Sequence, residues 1–155
     1  MRRSARRRPE DVELYPDVEA AIGQWWDDHN GLIIGVTNQG VVGYGTLTVT
    51  EVEAITAATS AAFMQDPFDW IEVCYALPAA AGGKVRPYHY RSLRRKPDYG
   101  MLVSAEVRAF REGVIIDWER SLMVGDRPED AACAAKAGIA FKTEEAFFSR
   151  PRRAS

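Results

Sequence analysis

Cysteine and histidine are scarce in this chain and long apolar runs are missing, and each shortage removes a class of protein. The two cysteines, Cys74 and Cys133, lie too far apart for a disulfide framework or a zinc knuckle, so both read as reduced thiols. No stretch approaches the roughly 18 apolar residues of a membrane span, and no apolar segment follows the arginine-rich start to make a signal peptide. A cytoplasmic location is the expectation. Internal repeats and low-complexity tracts are also missing, which excludes collagen, coiled coil and extended disorder. What remains is a chain of 155 residues, 46% hydrophobic and 27% charged, a balance that fits one soluble domain.

The net charge of −2 hides an asymmetry. Arg2, Arg3, Arg6, Arg7, Arg8, Arg150, Arg152 and Arg153 all sit at the ends, while the body carries all 22 acidic residues. The reading is a basic tail over 1–8, a single acidic domain over 9–148, and a second basic tail over 149–155. Such tails can contact nucleic acid through phosphates, and they can equally be solvated termini.

Between the tails, helix-type and strand-type patterns alternate. Pro16 and Asp17 open a helical stretch with Val18, Ala21, Ile22, Trp25 and Trp26 on its apolar side, closed by Asn30-Gly31. Residues 32–36 form a continuous apolar run that stops at Thr37-Asn38-Gln39-Gly40, the pattern of a buried strand entering a polar loop. Thr50 with Glu53 reads as the capping box of a second helix. A short strand is expected over 70–75, a long loop over 79–97, a helix over 101–110, a strand over 121–124, an alanine-rich helix over 128–137 closed by Gly138, and a last strand near 139–141. Alternation of this kind predicts an α/β domain with a mostly parallel sheet, which binds ligands at the carboxyl ends of its strands.

Three groups stand at strand ends or in loops: Thr37-Asn38-Gln39, Lys96-Pro97 in the basic loop, and the run from Gly125 to Asp130. A hydroxyl with adjacent N–H groups can hold phosphoryl oxygens, a lysine can neutralise their charge, and Asp126 with Asp130 can converge on a hard cation. Equally, Asp126 can cap the helix and Asp130 can favour its dipole. The order and spacing of the three groups resemble the second, third and fourth motifs of the haloacid-dehalogenase (HAD) superfamily of phosphatases. The wording T-N-Q, R-K-P-x-x-G-M and V-G-D-x-x-x-D is similar to the small-capped branch that holds heptose-bisphosphate phosphatase, histidinol phosphatase and the 3′-phosphatase domain of polynucleotide kinase.

That resemblance implies a Rossmann-like parallel sheet flanked by helices and a Mg²⁺-dependent phosphomonoester hydrolase. It implies that Thr37 binds the phosphoryl group, with Asn38, Gln39 and Arg95 on the substrate. Lys96 balances the phosphoryl charge, Asp126 is a Mg²⁺ ligand, and Asp130 supports the metal shell or positions Lys96. A phosphorylated small molecule is the implied partner, and the basic loop over 86–95 with Tyr88 and Tyr90 leaves nucleic acid open as another. The family also carries a central strand ending in D-x-D, whose first aspartate is the nucleophile, and nothing here matches it. The expectation is therefore a fold lacking its usual first central strand and a chain that is truncated or inactive, with a non-catalytic binding remnant as the alternative. Asp11 and Asp17 follow no buried strand and are poor substitutes. The zinc loop of the heptose-phosphatase relatives is not matched either, since only Cys74 keeps its place.

Overall fold

The computed structural model describes residues 8–148, so the arginines at 2–7 and 150–153 lie outside the described residues. The chain divides into two compact units, Met1–Ser92 and Leu93–Ser155. Each holds a two-stranded parallel sheet.

In the first unit a 3-10 turn, Pro9–Asp11, precedes helix α1, Val18–His29. Asp17 occupies the N-cap position of α1 with φ 68° and Asn30 ends it with φ 47°. Of the apolar face read from the sequence, Val18 is buried, Trp25 is half-buried and stacks on His29, and Trp26 is exposed. Strand β1, Ile34–Asn38, begins two residues later than its apolar run suggests. Asp69 takes the preceding residue out of the ladder: its carboxylate accepts from Ile33 N–H at 2.7 Å and its own N–H donates to Ile33 C=O. Regular pairing with β2, Trp70–Cys74, then starts at Ile34 opposite Trp70 and ends at Asn38 opposite Cys74. Thr37 and Asn38 are thus the last residues of the strand, not the first of the loop.

Helices α2, Val41–Tyr44, and α3, Val49–Ala61, make the crossover between these parallel strands. The capping box of α3 is Thr48 with Glu51, which corrects the Thr50–Glu53 reading. Thr48 Oγ1 accepts from Glu51 N–H, and Glu51 Oε2 accepts from Thr48 N–H at 2.8 Å. Both pairs have the required spacing, and Val49 already has helical geometry, so the earlier pair is the one at the helix entrance.

After β2 the chain runs through buried Ala76 and Leu77 into the long loop, which contains 3-10 turns at Ala79–Ala81 and Arg86–Tyr88. One acceptor organises it. The Gly43 carbonyl receives N–H groups from Lys84 and Val85, both at 3.0 Å, and lies 3.2 Å from His89 Nε2. Leu77 fills the space beside it, where a Cβ on Gly43 would lie 2.7 Å from Leu77 Cβ.

The second unit contains α4, Gly100–Arg111, strand β3, Leu122–Gly125, α5, Pro128–Ala137, strand β4, Ala140–Thr143, and the short α6, Glu144–Phe147. β3 pairs in parallel with β4 from Leu122 opposite Ala140 to Gly125 opposite Thr143, with α5 as the crossover. Pro128 opens α5, where its missing N–H costs nothing, and Gly138 closes it with φ 72°. Met101, Ala105 and Ala109 of α4, Met123 of β3, and Cys133 and Ala134 of α5 are the buried apolar residues.

Candidate active site

In the first unit the expected phosphate-binding residues occupy the carboxyl end of β1. Gln39 N–H donates to Cys74 C=O at 2.8 Å, extending the ladder one step beyond the strand. The Gln39 side chain turns back so that Nε2 donates to Thr37 Oγ1 at 3.0 Å. An accepted bond leaves the threonine hydroxyl proton free to be donated elsewhere, which is the polarity a phosphoryl oxygen requires. Gln39, expected on the substrate, is thereby a support for Thr37. Gly40 and Val41 start α2 directly after this turn.

In the second unit the expected cationic and acidic residues meet. Lys96 Nζ lies 2.5 Å from Asp130 Oδ1, with both side chains nearly buried. Beyond that ion pair Oδ1 has no hydrogen-bond partner among the described residues. Oδ2 accepts from Arg127 N–H at 3.0 Å, at the entrance of α5. Asp130, rather than Asp126, therefore satisfies the helix entrance, and both of its oxygens are engaged. A cation needing direct carboxylate contact would have to displace one of these partners, so the geometry fits Asp130 as the residue that orients Lys96.

Gly125 makes this arrangement possible. A Cβ there would sit 2.5 Å from Asp130 Oδ2, so the carboxylate rests against the strand end only because the residue has no side chain. Asp126 follows in the turn between β3 and α5. Its carboxylate is more than half exposed, with Arg127 Nε 3.6 Å away. Among the described residues no group of three or more His, Cys, Asp and Glu side chains gathers to cage a metal ion. Mg²⁺ characteristically keeps several waters and takes one or two carboxylates together with substrate phosphate, and Asp126 fits that smaller demand.

Two further contacts of this site were not visible in the sequence. Lys136 Nζ bonds Asp98 Oδ1 at 2.7 Å, and Cys133 Sγ lies 3.5 Å from Asp98 C=O. Together they tie the loop carrying Lys96 to α5. Burial pushes the Cys133 thiol up from its ordinary range, against the opposing pull of the Lys96 ammonium. The spacing of 35 to 38 residues between these partners carries no periodic signal. Asp11 and Asp17 are placed at local turns: Asp11 Oδ2 accepts from Arg8 N–H, and Asp17 occupies the N-cap position of α1 without a side-chain cap bond. Neither stands at the end of a strand.

These elements, two parallel crossovers with Thr37-Asn38 ending one strand and a Gly-Asp turn following another, are those of an HAD-like fold. The chain is similar to heptose-bisphosphate phosphatases. It is 31% identical over 110 residues to D-glycero-β-D-manno-heptose-1,7-bisphosphate 7-phosphatase of Salmonella typhi, matching 71% of this chain and 55% of that protein. The same enzyme of Escherichia coli K12 matches at 31% over 110 residues, 54% of its length. The chain thus spans about half the length of these relatives. Among solved structures, the D,D-heptose 1,7-bisphosphate phosphatase of B. bronchiseptica, complexed with magnesium and phosphate, superposes with a TM-score of 0.64 at 25% identity, over 86% of this chain and 67% of that one. An HAD-like phosphatase of Mesorhizobium loti superposes with a TM-score of 0.71 at 24% identity, over 90% and 64% respectively, and bears on the fold alone. No protein-family model matches the sequence.

Proposed function

We propose that this chain belongs to a Mg²⁺-dependent phosphomonoester hydrolase acting in the cytoplasm on a phosphorylated small molecule, with residues 9–148 as one HAD-like domain. The observation that carries the reading is the nearly buried Lys96–Asp130 pair beside Gly125-Asp126. Burying a charged pair is costly, and a lysine oriented this way has its ammonium fixed for an anion before the anion arrives. In this reading Thr37 donates its hydroxyl to a phosphoryl oxygen, and Gln39 keeps that hydroxyl turned outward. Asn38 and Arg95 contact substrate. Lys96 balances the phosphoryl charge and Asp130 positions Lys96. Asp126 would hold the Mg²⁺, whose chemistry is to polarise the phosphoryl oxygens. The names of the relatives support a sugar bisphosphate as the substrate class and give no support to nucleic acid.

The nucleophile is a separate matter, because Asp11 is bonded within its own turn and Asp17 stands at the start of α1, so neither sits at a strand end as an in-line attacking group. The chain as it stands is proposed to bind phosphate without efficient turnover. Phosphate release from an aryl phosphate and from a heptose bisphosphate, measured with Mg²⁺, tests this on two proteins: this chain, and a version extended by upstream coding sequence. Turnover confined to the longer version, and lost on Lys96→Met, is the expected result. Turnover by the short chain that disappears on Asp11→Asn or Asp17→Asn would overturn the nucleophile assignment. Inactivity of both folded versions would replace the hydrolase with a non-catalytic phosphate-binding protein.

A further inference from the structure

Helix α4 buries one face and leaves the opposite one uncovered. Met101, Ala105 and Ala109 are buried, whereas Val103, Val107 and Phe110 are exposed, Phe110 by 72%. Gly113, with φ 80°, then reverses the chain so that Val114 N–H bonds Ala109 C=O at 2.9 Å. The turn carries the apolar surface onward through Val114 and Ile115, the latter 86% exposed. The result is a shallow groove walled by Val107, Phe110, Val114 and Ile115, with Glu106 on one rim and Arg111 on the other. A contiguous apolar patch with a charged rim is the usual form of a protein-binding surface.

The spacing and the rim charges say what covers it. On α4 itself Val103, Val107 and Phe110 follow the four-three step of a two-helix seam, with Val114 beyond the Gly113 reversal. On that seam Glu106 and Arg111 flank opposite sides of the stripe, five residues apart. When two copies pair with their α4 helices parallel about a two-fold axis along the seam, Glu106 of each copy lies beside Arg111 of the other, on both sides at once. An antiparallel pairing would instead put Glu106 on the same side as its own counterpart. Glu106 Oε1 accepts from Trp118 Nε1 at 2.9 Å, which restrains the carboxylate at the edge of the stripe.

We propose that this face is the interface of a symmetric homodimer, formed by parallel α4 helices with Val107 and Phe110 at its centre and reciprocal Glu106–Arg111 pairs at its rim. A seam of under three helical turns is small, so the dimer is weak, with a dissociation constant on the order of 1 to 100 μM. Sedimentation equilibrium of the full chain across that range tests the proposal. A monomer–dimer equilibrium is expected for the native chain, with at least a roughly tenfold weaker association for Val107→Glu and for Arg111→Glu. The double exchange Glu106→Arg with Arg111→Glu restores the native value. Unchanged circular dichroism confirms that each variant is folded, and Phe110→Ser replaces any that is not. A chain that stays monomeric to about 200 μM, or a dimer indifferent to Val107→Glu, overturns the interface. A dimer weakened by Arg111→Glu but not restored by the double exchange overturns the parallel arrangement.

Discussion

At Asp130 the sequence offers two roles and the structure distinguishes them by counting oxygens. One oxygen faces Lys96 and the other accepts from Arg127 N–H, so a residue readable as a metal ligand is occupied by its own chain. The partner lysine, 34 positions earlier, gives no signal of proximity in the sequence beyond the motif resemblance. Removing the lysine strands a buried carboxylate, and Lys96→Met is expected to cost about 3–5 kcal/mol of unfolding free energy in urea titration. Gly125→Ala acts on the same pair from the other side, because its methyl group meets Asp130 Oδ2. A loss of about 1–3 kcal/mol is expected, typical of an overpacked site. Cys133 gives a pH-dependent readout. Its folded thiol ionises at higher pH than the unfolded one, so its contribution to stability is complete below the unfolded thiol's range and is lost as pH rises through the folded value. Unfolding measured across the alkaline range should fall less steeply in Cys133→Ala than in the native chain.

The elements themselves were largely legible, since β1, β2 and β3 lie within short, mostly apolar runs and α3 and α5 carry capping signals. The errors are small and local. β1 starts late because Asp69 captures both backbone groups of Ile33, a contact across 36 residues. α3 starts early because Thr48 and Thr50 each have a glutamate three residues on, and only the backbone shows which pair closes the box. Thermal unfolding should separate them: Thr48→Ala is expected to cost about 1 kcal/mol, and Thr50→Ala less than about 0.5 kcal/mol. Trp25 and Trp26 read as core and rim residues and Trp26 is indeed exposed, yet α1 buries only Val18 fully, so the apolar periodicity of this helix overstates its packing.

For the whole molecule, the parallel α/β architecture was readable because two separate strand–helix–strand crossovers each carry their own pattern. The long-range ties within each unit, Lys136 to Asp98 and His89 to Gly43, were not, because single polar contacts leave no period in a sequence. Ligand binding should appear as a gain in global stability. Inorganic phosphate with Mg²⁺ at about a hundred times its dissociation constant should stabilise the chain by about 2.7 kcal/mol, read as a rise in melting temperature. Asp126→Asn is expected to abolish the part of that rise that requires Mg²⁺. The Gly43 carbonyl has a consequence of another kind. By composition, Ala79 to Gly83 and the basic residues after it are part of a long loop, where unbonded amide protons would be lost to solvent deuterium almost at once. Since Lys84 and Val85 both donate to that one oxygen, their protons should outlast those of their neighbours, and a stretch that looks like slack rope would exchange like the end of a helix.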